Sequence, residues 1–274
     1  MARPLKVGAV MYDPKVSVIW EIIRDFFDAQ QAPIDPVFYP NYGTQVDALL
    51  NRAIDIAWNS PLAWVDAQRR TGGGCRAIAM RDTDRDRFSC FVARRHGGLK
   101  SLADLAGKTL ATGAHDSPQA TLIPLGRLRR DGLAPGHDLT IRRFDVGVGL
   151  HGDHIGGERD AFECLKRGDA DASAMLDLNW QAWTADGTID PNAYTVIGET
   201  DRFDHCVFTV REDLDGAREQ AWLQALFAMQ YDNPEHREMM DLEGLKAWLP
   251  GRTTGFGPLT AAVDSEQFFA PAQP

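Results

Sequence analysis

Long apolar runs are missing from this 274-residue chain. No stretch approaches the ~20 residues that cross a bilayer, so no transmembrane segment is expected. Cysteine is scarce, and Cys75, Cys90, Cys164 and Cys206 are widely spaced without a C-x-x-C pair. That excludes a disulfide framework and a zinc knuckle, and each thiol is expected as a small buried apolar group. Basic clusters interleaved with aromatics are also missing, and the net charge is -10, so nucleic acid is not expected as a partner. There is no internal repeat, low-complexity run, P-loop, nucleophile elbow, Rossmann fingerprint or H-E-x-x-H pair. Met1 to Lys6 is too short for the charged start of a secretory signal, and Val7 to Met11 already reads as a strand. The expectation is therefore a cytoplasmic chain, periplasmic only if the start is truncated or misassigned.

What is present is an ordinary globular composition, 44% hydrophobic and 25% charged, on a length that suits two domains. Strand and helix patterns alternate. Leu5–Met11, Ile34–Tyr39 and Ile54–Trp58 read as inner strands, with helices over Ser17–Gln30 and Thr44–Arg52 and another starting at Pro61. That order predicts a doubly wound, mostly parallel α/β sheet with polar loops at the carboxyl ends of its strands. Ser89–Arg94 leads into a second α/β unit containing Thr109–Thr112, Leu139–Phe144 and Ala170–Met175, and His205–Val210 crosses back. The expected division is 1–88 plus 199–274 for one lobe and 89–198 for the other, with the ligand cleft between them. The tail after Trp248 reads as loop.

Three places carry chemistry. After Gly113, Asp116 or Ser117 can cap a helix that begins at Pro118, and the N–H groups of Gln119, Ala120 and Thr121 are expected to hold an oxyanion at its positive end. His115 lies just before it. The loop Asp145–Gly157 is the most glycine-rich in the chain and leads to Glu158. With His151, Asp153 and His154 it gathers acid–base groups that fit either a mobile lid, a catalytic loop or, as a weaker alternative, a divalent metal site. No other cofactor is indicated. Asp177 follows a strand and can cap the next helix. Tyr12, Asp13, Tyr42, Asn59 and Ser60 stand at the strand ends of the first lobe, where the tyrosine hydroxyls suit a cleft, while Trp58 fits cleft or core.

The blocks DALLNRAIDIAWNSPLAWV (Asp47–Val65), GLKSLADLAGKTLATG (Gly98–Gly113), ERDAFECLKRGDADASAMLD (Glu158–Asp177) and FDHCVFTVREDLD (Phe203–Asp215) together resemble the type 2 periplasmic binding-protein fold. The closer resemblance is to the phosphonate, phosphate and phosphite solute-binding components of ABC importers. It implies a small anion as ligand, an ABC permease as partner if the chain is exported, and Asp177 near the ligand, where a carboxylate would favour an amino group. The chain departs from the family's Ser-Thr-Ser-Gly loop, reading Asp116-Ser117-Pro118-Gln119-Ala120-Thr121, and has Gly157-Glu158 where Ser-His is common. A second reading is a cytoplasmic enzyme on the same fold, a decarboxylase or dehydratase of small carboxylic acids, with acid–base groups from His151, Asp153, His154 and Glu158.

Overall fold

The computed structural model describes residues 3–152 and 156–269. In chain order its elements are β1 (Leu5–Val10), α1 (Lys15–Ala29), β2 (Ile34–Tyr39), α2 (Tyr42–Leu50), β3 (Ile56–Asn59), α3 (Pro61–Thr71), β4 (Cys75–Arg81), β5 (Ser89–Arg94), β6 (Thr109–Thr112), α4 (Ile123–Arg130), β7 (Thr140–Arg143), α5 (Glu158–Arg167), β8 (Ala172–Leu176), α6 (Asp177–Ala185), β9 (Tyr194–Glu199), β10 (Val207–Arg211), α7 (Gly216–Phe227), α8 (Pro234–Leu242), β11 (Trp248–Pro250) and α9 (Gly257–Glu266). A single π-turn, Pro118–Leu122, runs directly into α4. The chain forms two compact units, Met1–Arg85 with Asp204–Gly255 and Asp86–Phe203 with Phe256–Pro274.

In the first unit the sheet order is β11-β4-β10-β3-β1-β2. β1 runs parallel to β2 and β3, and β10 lies antiparallel between β3 and β4. The caps follow from the sequence. Asn41 accepts from Thr44 N–H to start α2, and Ser60 accepts from Ala63 N–H to start α3 with Pro61 behind it. α1 begins two residues earlier than expected, behind Pro14 and without a side-chain cap, while Asp13 Oδ1 accepts the Lys15 N–H at 2.8 Å. Apolar faces of α1 and α7 close one side of this sheet, where Phe27 stacks on Trp222 at 5.5 Å and Phe208 meets Trp58 at 4.5 Å. Each such buried ring contributes about 1.5–3 kcal/mol relative to exposure.

In the second unit the order is β7-β6-β8-β5-β9, with β6 parallel to β7 and β8, and β5 antiparallel between β8 and β9. Phe91, Leu110 and Leu128 fill one face; Phe162, Met175 and Ile189 fill the other. The tail does not stay with the first unit, nor is it loop. Gly257–Glu266 is helical with Pro258 in its first turn, and α9 packs on α4 where Gly126 lets Ala262 approach: a Cβ there would stand 2.9 Å from Ala262 Cβ. All four cysteines are buried and unpaired by disulfide, and burial pushes Cys90 up to about 12.

Candidate functional site

In the second unit the polar features gather at the carboxyl ends of β6 and β8. The chain leaves β6 at Gly113, where a Cβ would lie 2.2 Å from the Gly156 carbonyl oxygen and 2.6 Å from Ala120 Cβ. Ser117 is the cap: its Oγ accepts the Ala120 N–H at 3.2 Å, and its carbonyl accepts Thr121 N–H at 3.1 Å and Leu122 N–H at 2.9 Å. The expectation that Ala120 and Thr121 offer unused N–H groups is therefore corrected, because a π-turn consumes them locally. Side chains remain. Thr121 is 2% exposed and its Oγ1 has no partner among the described residues, and the same holds for Gln119 Oε1, Asp116 Oδ1 and Thr112 Oγ1.

The glycine-rich loop lies against this turn. Gln119 Nε2 donates to the Gly152 carbonyl at 2.7 Å, Gly149 N–H donates to Asp116 Oδ2 at 2.6 Å, and Ala114 N–H to the Gly156 carbonyl at 2.8 Å. Gly152 has φ +67, and a Cβ there would meet Ser117 Oγ at 2.1 Å. His115 binds Asp145 Oδ1 through its N–H at 2.7 Å, with the ring Nδ1 at 3.1 Å; that backbone bond holds the Asp145 carboxyl below the usual carboxylate range. Asp153 and His154 lie outside the described residues, while His151 is half-buried with φ 53.

Glu158 is buried at the head of α5, where its Oε2 accepts Leu176 N–H at 2.8 Å and Asn179 Nδ2 at 2.7 Å. It ties the end of β8 to the start of α6. Asp177 is the first helical residue of α6 behind an extended Leu176, not the cap that was expected. Arg87 Nη1 stands 3.2 Å from its Oδ2. Burial pushes the Asp177 carboxyl above the usual range, and Arg87 offsets only part of that. Ser89 completes the edge by donating from Oγ to the Gln119 carbonyl at 2.5 Å. Arg87 and Ser89 escaped the sequence reading. Their only signal was position, a charged turn followed by a strand start.

In the first unit Asn59 and Ser60 are fully buried at the end of β3, and Gln45 on α2 contacts Asn59. Tyr42 is buried at the start of α2, 2% exposed, and Trp58 is core. Tyr12 is half-buried on that core, and Asp13 is exposed at the start of α1. Asp84, His205 and Cys206 also bring ligand-type atoms within 4.8 Å of one another. Arg81 already bridges both Asp84 oxygens at 2.7 and 2.9 Å, so a guanidinium stands where a metal cation would need the charge. Although burial alone would raise the Asp84 carboxyl, Arg81 outweighs it and holds the group well below the usual range. The cluster is a buried ion network.

Two α/β units, each a mixed sheet with helices packed on it, have the two-lobe fold of periplasmic binding proteins. The family model for ABC transporter, phosphonate, periplasmic substrate-binding proteins matches residues 15–254, and the chain belongs to that family. Its ligand class is accordingly a small anionic solute. PhnD1 from Prochlorococcus marinus, in complex with methylphosphonate, is similar in fold, with a TM-score of 0.72 at 16% identity over 96% of this chain and 98% of that one. A Xanthomonas citri protein bound to ATP superposes with a TM-score of 0.77 at 17% identity, covering 98% and 100%. The aliphatic sulphonate binding protein SsuA from Escherichia coli gives 0.63 at 16%, covering 99% and 94%. An uncharacterized protein of Haemophilus influenzae is 31% identical over 117 residues, 43% of this chain and 84% of that protein. The family's description is periplasmic, and the cytoplasmic expectation finds no support in these comparisons. Among the described residues no helix is long and apolar enough to cross a membrane.

Proposed function

We propose that this chain captures a small tetrahedral oxyanion, a phosphonate or phosphate, at the turn Ser117–Thr121 of the second unit and delivers it to an ABC permease. One observation carries the reading: Thr121 Oγ1 is buried without a partner among the described residues, beside the Ser117 cap, in a family described as phosphonate ABC-transporter substrate-binding proteins. A buried hydroxyl left unpaired costs about 1–3 kcal/mol, which a ligand oxygen recovers. Three nearby carboxylates repel an anion. Glu158 accepts from Leu176 N–H and Asn179, Asp116 accepts from Gly149 N–H through Oδ2, and Arg87 stands 3.2 Å from Asp177 Oδ2, contacts that weaken the repulsion without cancelling it.

Calorimetric titration with methylphosphonate, inorganic phosphate, methanesulfonate and acetate tests the proposal. Thr121→Val keeps the shape and removes the hydroxyl, and Ser117→Ala removes the cap. Each is expected to weaken the tightest of these probes by ~1 kcal/mol, the usual size of a net hydrogen bond. Unchanged affinity in both variants would place the anion elsewhere.

A further inference from the structure

Gln45 and Asn59 form an amide pair in the first unit that the proposed anion turn does not use. Both side chains are fully buried. Gln45 reaches from α2 to β3, donating from Nε2 to the Trp58 carbonyl at 2.7 Å and to Asn59 Oδ1 at 2.9 Å. Its seat depends on Gly8 of β1, where a Cβ would lie 3.3 Å from Gln45 Cγ and 2.4 Å from Ile54 Cδ1. A backbone carbonyl can only accept, so the Trp58 oxygen decides which end of the Gln45 amide faces β3. The second hydrogen of the same nitrogen then requires the oxygen of Asn59 rather than its nitrogen. Asn59 is thereby turned with Oδ1 on Gln45, and its Nδ2 is buried with no partner among the described residues.

Asn59 is the last residue of β3 and stands next to Ser60, whose Oγ accepts Ala63 N–H at 3.1 Å to open α3. The positive end of that 11-residue helix and an uncommitted amide donor occupy adjacent positions. Amide donors suit an anion because they attract it without bringing a charge that must itself be desolvated. We infer that Asn59 Nδ2 and the start of α3 form an anion subsite in the first unit, and that Gln45 is the positioning residue that keeps Asn59 in its donor orientation. The inference rests on the reading of the chain as an oxyanion binder.

The test is calorimetric titration of the full chain with methylphosphonate, inorganic phosphate and methanesulfonate. Asn59→Asp puts an acceptor where the donor stood, and the tightest probe should bind about tenfold or more weakly at pH 7.5, the range for a lost bond to a charged group. Gln45→Glu cannot donate while ionised, so affinity should fall at pH 7.5. Burial raises the introduced carboxyl, so as pH falls towards 5 it takes up a proton and donates again, and the ratio of wild-type to variant affinity should narrow. A purely structural role for Gln45 would make that ratio follow the variant's folding stability, which urea unfolding at both pH values measures, whereas positioning predicts weaker binding by a variant that is fully folded. If the charged variant does not fold, judged by circular dichroism, Gln45→Met fills the same space without a donor and should weaken binding at both pH values. Asn59→Asp binding within twofold of wild type, while Thr121→Val still weakens it, would overturn the subsite alone. Absence of saturable binding of every probe by the wild type would overturn both readings.

Discussion

Asp177 shows how much of a side chain's role depends on partners distant in sequence. Its place after a strand was readable, as were the helix start at Pro61, a cap at Asp116 or Ser117 and the burial of every cysteine. Its ion pair with Arg87 was not, because that contact exists only once β5 enters antiparallel beside β8. The same holds for Gln45, an ordinary helical glutamine until β3 presents Asn59 to it. Burial raises the Asp177 carboxyl above its unfolded value of about 4. The folded chain thus binds that proton more tightly than the unfolded one. This contribution to stability is complete below the unfolded value and is lost as pH rises through the folded one. Asp177→Asn should therefore gain stability relative to wild type as pH goes from about 4 to 7. Urea unfolding across that range measures it, and a difference that shrinks with pH would contradict the assigned direction.

At the level of elements, the strand Thr109–Thr112, a cap at Asp116 or Ser117 and Pro118 at the first turn were all legible, since each rests on local chemistry, and the fold selects Ser117. The π-turn was not, because its geometry is set by the loop that returns to Gly113 through Gly156. α9 was misread as loop for the opposite reason. Gly257 and Pro258 look like breakers, yet a proline in the first turn suits a helix that has α4 to pack against. Gly113→Ala should place a methyl into the Gly156 carbonyl and Ala120, destabilising the second unit by about 1–3 kcal/mol as overpacking does. Chemical denaturation gives the number. Wild-type stability in that variant would mean that the loop and turn do not meet as described.

Across the whole molecule, alternating patterns identified both α/β units, because their inner strands leave an apolar signature in sequence, whereas the antiparallel entry of β10 and β5 that makes both sheets mixed rather than mostly parallel left none. The assignment of the last segment was beyond that signal, since it depends on the match between Ala262 and Gly126. Deleting 256–274 should lower the thermal transition of the second unit while the first unit, complete at Gly255, keeps its own. Differential scanning calorimetry separates the two outcomes, and an unshifted profile would show α9 to be dispensable.

The return of the chain to the second unit at Phe256 also fixes an order of events during synthesis. β10 sits in the middle of the first sheet and β11 at its edge, so that sheet is incomplete until residue 250 has been made. α9 delays the second unit further still. Neither unit can therefore be complete until residues beyond 250 have been made, so each body waits for a segment that lies on the far side of the other in the chain.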